Sequence, residues 1–176
     1  YFLSAESGRR KEPVLFAPGT KDAAVPYDIA KAIADTLFAR YQYKSGSYGD
    51  VFVETRSDKF FGRLDWNINE KHKIQLRNNY VSAFGDYLER GANALNYESQ
   101  GYRHISKTNS TVLELKSNFS NKLSNNLIIG YAVVNDRRDI RGELFPHIEI
   151  TYNTANTIFA GAYREAAIYG LTLKTT

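Results

Sequence analysis

Two stretches of this chain alternate between apolar and polar residues, and this alternation limits the fold more than any other feature. In the range Lys59–Asn67, the apolar residues Phe60, Leu64 and Trp66 occupy every second position or nearly so. After a short polar connection, Lys73–Ser82 alternates in the same way. Side chains two positions apart on a strand lie on the same face, so each stretch has one apolar and one polar face. The pattern predicts an antiparallel hairpin.

A second hairpin is predicted further along the chain, although its second strand alternates less clearly, because Ile128, Gly130, Ala132 and Val134 are small or apolar. Its strands are Ser110–Phe119 and Asn126–Asn135, joined by a turn at Asn121–Ser124. Between the two hairpins, the segment Gly85–Lys107 is polar and without a clear period, which predicts a long loop. A further strand is predicted over His147–Tyr152 and a last one over Ile168–Thr176. Short and long connections therefore alternate.

The residues before this region have a different character. Prolines punctuate the start of the chain, and the range Tyr27–Tyr41 then carries Ile29, Ile33 and Leu37 along one stripe of a helix. Pro26 and Asp28 suit the first turn of such a helix. We therefore divide the chain into residues 1–57, irregular with one helix over 27–41, and residues 58–176, formed by the hairpins.

Composition excludes several kinds of site. The 176 residues contain no cysteine, which rules out disulfides and zinc-thiolate centres. The three histidines are far apart, and no nucleophile elbow, phosphate loop or dinucleotide fingerprint is present, so we expect no metal, no cofactor and no enzymatic activity. The net charge of +4 is spread along the chain among scattered acidic residues, which argues against nucleic acid as a partner. Methionine is absent even from position 1, which suggests that the ends are cuts.

Two interpretations of the alternating strands stay open on periodicity alone. In a soluble antiparallel sandwich or barrel, the apolar faces would line a core. In an outer-membrane β-barrel they would face lipid, and each strand would need about 9–11 residues to cross. The predicted strand lengths and the long loop favour the membrane barrel. The alternative is a soluble all-β extracellular binding or adhesion module.

The residues of the first hairpin also resemble a known family. The run from Lys59 to Arg77, KFFGRLDWNINEKHKIQLR, is similar to the early barrel hairpin of TonB-dependent outer-membrane receptors, and most of all to the Oar-like group. The opening Tyr1–Glu6 resembles a strand at the beginning of that barrel. The segments Asp136–Arg138 and Leu144–Ile150 resemble a later part of the same group.

The resemblance implies an up-and-down transmembrane β-barrel of roughly 22 strands with a plug in its lumen. This chain would supply about four to six of those strands as a fragment. It would be part of a transporter and receptor that moves a large or scarce solute across the bacterial outer membrane. Its partners would be outer-membrane lipid, the remainder of the barrel, the plug and, through the plug, the TonB complex. The solute is unknown.

Two groups of residues are the candidate sites. On the strand faces, lipid would contact one set of side chains: Phe60, Leu64, Trp66, Ile74, Leu76, Tyr80, Leu113, Leu115 and Phe119. The opposite set would face the lumen and meet the plug or the solute: Arg63, Asp65, Gln75, Arg77, Glu114 and Lys116. The segments Gly85–Lys107 and Arg137–Pro146 would be extracellular. Residues of the first of these segments could bind a solute or a partner, or could pack on the loop itself or on neighbouring loops: Tyr87, Arg90, Tyr97, Tyr102 and Arg103.

Overall fold

The computed structural model describes residues 1–164 and 173–175. These residues form one α-helix and nine strands with the following bounds: β1 Phe2–Pro13, α1 Tyr27–Tyr41, β2 Phe52–Asn67, β3 His72–Tyr87, β4 Ala94–Asn96, β5 Tyr102–Ser120, β6 Leu123–Ile140, β7 His147–Tyr152, β8 Asn156–Gly161 and β9 Leu173–Thr175. Five of the strands make one antiparallel sheet in the order β1-β2-β3-β5-β6. The prediction of a mostly β chain with one helix is confirmed.

Short turns join the strands of both predicted hairpins. Between β2 and β3, the side-chain oxygen of Asn69 accepts hydrogen bonds from the backbone N–H groups of Lys71 and His72, at 2.9 and 2.8 Å. An asparagine that bonds to the backbone two and three residues later closes a turn locally. Between β5 and β6 the turn is only Asn121 and Lys122, shorter than predicted, because Leu123 already belongs to β6.

The strands of this sheet are longer than the sequence pattern predicts. They run for 16 residues in β2 and β3, 19 in β5 and 18 in β6. The hydrogen bonds between neighbouring strands are made by backbone groups, so a strand can continue beyond the point where its side chains stop alternating. The predicted loop Gly85–Lys107 is therefore wrong in its bounds and shrinks to residues 88–101. Likewise, only residues 141–146 of the predicted segment Arg137–Pro146 connect β6 to β7.

Helix α1 has the predicted bounds. Pro26, at φ −61°, occupies the N-cap, where its missing N–H costs nothing. At the other end Gln42 is left-handed, with φ 54°, and its N–H bonds to the carbonyl of Phe38 at 2.9 Å. That bond satisfies a carbonyl that the helix leaves free at its C-terminus. Ala30 and Leu37 are the buried residues of the helix.

A second, smaller sheet has the order β4-β8-β7-β9. Strands β7 and β8 are an antiparallel pair running from His147 opposite Gly161 to Tyr152 opposite Asn156, and β4 lies parallel to β8. The strand predicted over His147–Tyr152 is confirmed, whereas β8 is not anticipated by the sequence pattern. Of the last strand, predicted over Ile168–Thr176, residues 168–172 and 176 lie outside the described residues, and β9 covers the rest.

The chain divides into two compact units that are assembled from separated segments. Unit 1 comprises Tyr1–Arg9, Thr55–Phe84 and Ile105–Arg137, and unit 2 comprises Arg10–Glu54, Gly85–His104 and Arg138–Thr176. The predicted division at residue 58, which is a division along the sequence, remains a prediction.

The hydrophobic core belongs to unit 2 alone. Its buried residues are Ala24, Val25, Ala30, Leu37, Tyr43, Leu95, Tyr97, Ile158 and Ala160. In unit 1, by contrast, Ser117 is the one buried residue among those that the structure describes. Unit 2 therefore has a hydrophobic core, and unit 1 has none among its described residues.

Candidate functional site

The polar face of unit 1 carries a cluster of paired charges. Arg63 donates three hydrogen bonds to Asp65: Nε–Oδ1 at 3.0 Å, Nε–Oδ2 at 2.9 Å and Nη2–Oδ1 at 2.8 Å. These residues are two apart on β2, which places both side chains on one face. On the neighbouring strand, the Nε2 of Gln75 donates to Asp65 Oδ1 at 2.8 Å. The carboxylate of Asp65 is thus held by side chains from two strands.

A second pair completes this cluster. Lys116 Nζ lies 3.1 Å from Glu114 Oε1, and the side chain of Glu114 is only 13% exposed. The two pairs border a recess of about 200 Å³ that Lys73 also lines. The cluster thus holds three cationic and two anionic side chains. Five of the six predicted lumen-facing residues meet here, and Arg77 is on the same strand as Gln75 but does not line the recess.

The opposite face of unit 1 is apolar and open. Large side chains on it remain accessible in the chain, for example Trp66 at 64% and Leu64 at 58%. Leu3 of β1 joins Leu64 and Leu76 around a recess whose walls are almost entirely apolar. Of the nine residues predicted to contact lipid, seven are exposed, and Ile74 and Leu115 are half-buried.

The polar residues on this apolar face are bonded to one another. Asn78 interrupts the alternation of β3, and its Nδ2 donates to Asn109 Oδ1 at 2.7 Å and to Thr111 Oγ1 at 2.8 Å. Near the short turn, Nδ1 of His72 lies 2.9 Å from the hydroxyl of Ser117. Such pairing removes most of the cost of placing polar groups in an apolar environment.

Two of the predicted loop residues hold unit 2 together. Tyr97 is fully buried, and its hydroxyl donates to the carbonyl of Ala30 at 2.5 Å. Burial raises the pKa of Tyr97. Arg90 donates to backbone carbonyls, including that of Gly49 at 2.6 Å, and burial lowers the pKa of its guanidinium. Both side chains therefore bond to backbone carbonyls of other segments of unit 2, and their predicted contact with a solute or a partner remains a prediction.

Arg103, which was predicted to lie on the loop, belongs to β5 and binds a buried carboxylate that the sequence pattern does not single out. Its guanidinium donates to Asp86, and Arg141 donates to the same carboxylate at 2.9 Å. The backbone N–H of Glu54 adds a third donor at 3.2 Å. Burial by itself favours the protonated form of Asp86, but the two guanidinium groups outweigh it and lower its pKa.

The remaining two predicted loop residues, Tyr87 and Tyr102, end β3 and begin β5. Their rings are stacked, with centroids 5.0 Å apart and planes 13° from parallel. Tyr163 lies against Tyr102 with a centroid distance of 4.8 Å. This tyrosine group forms one side of a cavity of about 270 Å³ within unit 2.

His147 lies on another side of this cavity. It is buried, its ring is stacked on Phe159 at 5.8 Å, and its Nδ1 is 3.3 Å from the carbonyl of Ala162. Gln100, Glu89 and Arg164 also line the cavity. These residues come from separate elements, so no spacing in the sequence brings them together.

Neither unit shows the features of a metal centre or a helical membrane anchor in the described residues. Within 1–164 and 173–175, no three His, Cys, Asp or Glu side chains converge as they would around a metal ion. Over the same residues, no helix has the length and apolar character that a transmembrane helix needs.

Comparisons with known proteins found no similar protein. No protein family model, no curated protein and no solved structure matches the chain.

Proposed function

We propose that this chain is part of a TonB-dependent outer-membrane receptor of the Oar-like group, a transporter rather than an enzyme. The five-stranded sheet would be a section of the barrel wall. Its membrane-crossing parts would be Lys59–Asn67, Lys73–Ser82, Ser110–Phe119 and Asn126–Asn135. Outer-membrane lipid, the rest of the barrel and the plug would be its partners, and the plug would couple it to the TonB complex that energises transport of the solute.

The observation that carries this proposal is the open apolar face of unit 1. Trp66, Leu64 and Phe119 are each at least half exposed, and unit 1 has no buried hydrophobic residue among those described. Soluble monomers rarely expose contiguous apolar patches larger than a few hundred Å². In a membrane barrel the same face is covered by lipid, so it needs no core behind it.

The strand β6 supports the same interpretation. From Leu127 to Val134 its residues are exposed, although six of the eight are large and apolar. It is also an edge strand of the sheet, next to β5 only among the described strands. A long apolar edge strand is an aggregation hazard in water, whereas closing a barrel pairs both edges and lipid covers the outer side.

The polar face fits the lumen of such a barrel. Arg63 with Asp65, and Glu114 with Lys116, are ion pairs on the face opposite the apolar one. Paired charges need less hydration than isolated ones, so a plug can pack against them. This supports a role for the cluster in contacting the plug or a polar solute.

A matched pair of substitutions on β3 tests the proposal. Leu76 and Asn79 are both exposed in the chain but lie on opposite faces of the strand. Leu76→Arg would place a charge in lipid, which costs about 2–4 kcal/mol near the middle of the bilayer. We expect it to lower the amount of protein in the outer-membrane fraction, while Asn79→Arg leaves that amount unchanged.

The opposite result would refute the membrane assignment. If the chain is soluble, both positions face water, and both variants should change stability by no more than about 0.5 kcal/mol. Equal yields of the two variants, in a protein that stays soluble without detergent, would remove the basis of the transporter proposal.

The second candidate is a soluble all-β extracellular binding or adhesion module. The observation that favours it is the core of unit 2, where Tyr97, Leu95 and Ile158 are almost completely buried. A unit with its own core can fold in water, as an extracellular loop domain or as an independent module. Leu76→Arg and Asn79→Arg distinguish these candidates, because the two variants should differ only if one face of β3 contacts lipid.

A further inference from the structure

We propose that the cavity of unit 2 binds one pyranose ring of a saccharide. The site lies between the stacked pair Tyr87–Tyr102 and the strands β7 and β8. The inference goes beyond the proposed transport function and does not depend on it, because it concerns residues of unit 2 alone.

The size of the cavity limits the ligand. Its volume is about 270 Å³. Sites for drug-sized ligands have volumes of about 300–1,000 Å³. The cavity therefore suits a ligand of one six-membered ring with its substituents, and the rest of a longer chain would have to extend into solvent.

Tyr87 offers a flat surface on which such a ring can lie. It stacks on Tyr102 with planes 13° from parallel, and yet it is 48% exposed. The stacking fixes the plane of the ring before any ligand arrives, which reduces the entropy lost on binding. The C–H groups on one side of a pyranose ring carry a partial positive charge and pack well on the negative face of an aromatic ring.

Three side chains around the cavity can accept hydrogen bonds from a ligand. Gln100 uses both protons of its Nε2 on the carbonyls of Gly161 and Ala162, at 2.8 and 2.9 Å, which leaves its Oε1 as an acceptor. When the Nδ1 of His147 donates to Ala162, its Nε2 is an acceptor as well. The exposed carboxylate of Glu89 is a third acceptor.

These acceptors favour a ligand rich in hydroxyl groups. Sugar hydroxyls are donors that can reach Glu89, Gln100 and His147 while the ring lies on Tyr87. An apolar ring would leave the buried acceptors Gln100 and His147 without a hydrogen bond from the ligand, which disfavours it. The lining carries one carboxylate, Glu89, and one guanidinium, Arg164, so it has no net charge that would favour an ionic ligand. The geometry thus selects a neutral saccharide.

Saturation-transfer NMR on the full chain, in detergent if it needs one, provides the test. The probes are methyl β-glucoside, methyl β-galactoside and N-acetylglucosamine. We expect at least one to bind with a Kd of about 1–10 mM, as is usual for a contact worth about 3–4 kcal/mol. The signal should be strongest for the ring protons that lie on the tyrosine.

Variants connect any binding to this cavity. Tyr87→Ala should weaken binding at least tenfold, and Tyr87→Phe should preserve it, since the ring face is retained. Tyr1→Ala is the matched control, because Tyr1 is an exposed tyrosine of unit 1. Glu89→Gln keeps the size of an exposed side chain and should weaken binding several-fold, so it gives a result even if Tyr87→Ala fails to fold.

Three outcomes would overturn the proposal. The first is that none of the three probes binds at tens of millimolar. The second is that Tyr1→Ala weakens binding as much as Tyr87→Ala does. The third is that Glu89→Gln leaves the affinity unchanged. The transport proposal is tested separately, by the need for detergent and by the difference between Leu76→Arg and Asn79→Arg. Failure of saccharide binding would change neither of these results.

Discussion

Arg103 and Asp86 form a two-pronged ion pair in unit 2, with Nε–Oδ1 at 2.7 Å and Nη2–Oδ2 at 3.0 Å. The carboxylate is almost fully enclosed, with 1% of the Asp86 side chain exposed, while the side chain of Arg103 is 39% exposed. Arg141 binds the same carboxylate. One buried anion therefore joins residues that are distant in sequence, and its charge is required for this arrangement.

The stability of unit 2 should depend on this charge. The folded-state pKa of Asp86 lies below the ordinary value of 3.8, so the stabilisation is complete above that pH and is lost as the pH falls through the folded pKa. We expect urea unfolding, followed by near-UV circular dichroism, to show a loss of stability below pH 3.8. In Asp86→Asn this part of the acid dependence should disappear, and stability at neutral pH should fall by about 1.5–3 kcal/mol. An unchanged acid dependence in the variant would contradict the assignment.

Removal of the hydroxyl group should change the stability of unit 2 differently at its two buried tyrosines. Tyr97→Phe removes the bond to Ala30, so we expect a loss of about 0.5–1.5 kcal/mol, more if the carbonyl stays unpaired. The hydroxyl of Tyr43 has no hydrogen-bond partner in the described residues, and the nearby Ser99 donates to Gly161 instead. Tyr43→Phe should therefore be neutral or stabilising. Both values follow from thermal or urea unfolding, and equal losses in the two variants would be incompatible with this hydrogen-bond assignment.

Gly161 should tolerate no side chain. Its φ of +83° is a conformation that costs other residues about 1–2 kcal/mol, and a methyl group there would overlap the carbonyl of Pro146. Gly161→Ala should therefore destabilise unit 2 by at least that amount. Gly91→Ala is the control, because its added methyl group would meet nothing within 4 Å. Unfolding midpoints of the two variants measure the difference, and a stable Gly161→Ala protein would show that this backbone conformation is wrong.

The amide of Asn78 should be needed on the apolar face of unit 1. Asn78→Ala removes the donor that serves Asn109 and Thr111, which leaves polar groups unpaired where we expect lipid. The expected loss is about 1–3 kcal/mol in detergent or lipid. Asn79→Ala, on the opposite face of the same strand, should change stability by less than about 0.5 kcal/mol. If the two alanine variants unfold alike, the face that carries Asn78 is not in an apolar environment.

Much of the candidate wall could be predicted from the sequence because alternation is a local property. Leu64 and Arg63 lie on opposite faces of β2 whatever the rest of the chain does, since the period of a strand is two. Once the turn fixes the register of β2 and β3, one can also predict which polar residues are neighbours across the two strands, such as Gln75 and Asp65. The helix bounds were predictable for the same reason, because Pro26 and an apolar stripe act within a few residues of one another.

The bounds of the long strands and the contents of unit 2 could not be predicted in this way. The ion pair of Asp86 with Arg103 and Arg141 joins three separate segments, and nothing in their local pattern indicates it. Tyr97 illustrates the same limit. An aromatic residue in a polar segment suits an exposed loop, yet the tertiary structure buries it beneath helix α1 residue Ala30.

By itself the sequence determined the period of the hairpin strands, and with it the mostly β class, the two hairpins and the two faces of β2, β3 and β5. These properties depend on the steric preferences of neighbouring residues. Only the tertiary structure decided which apolar residues have a core to enter and which remain open. Burial is set by what lies opposite a side chain, and for Tyr97 and Leu64 that partner, or its absence among the described residues, cannot be read from the residues beside them.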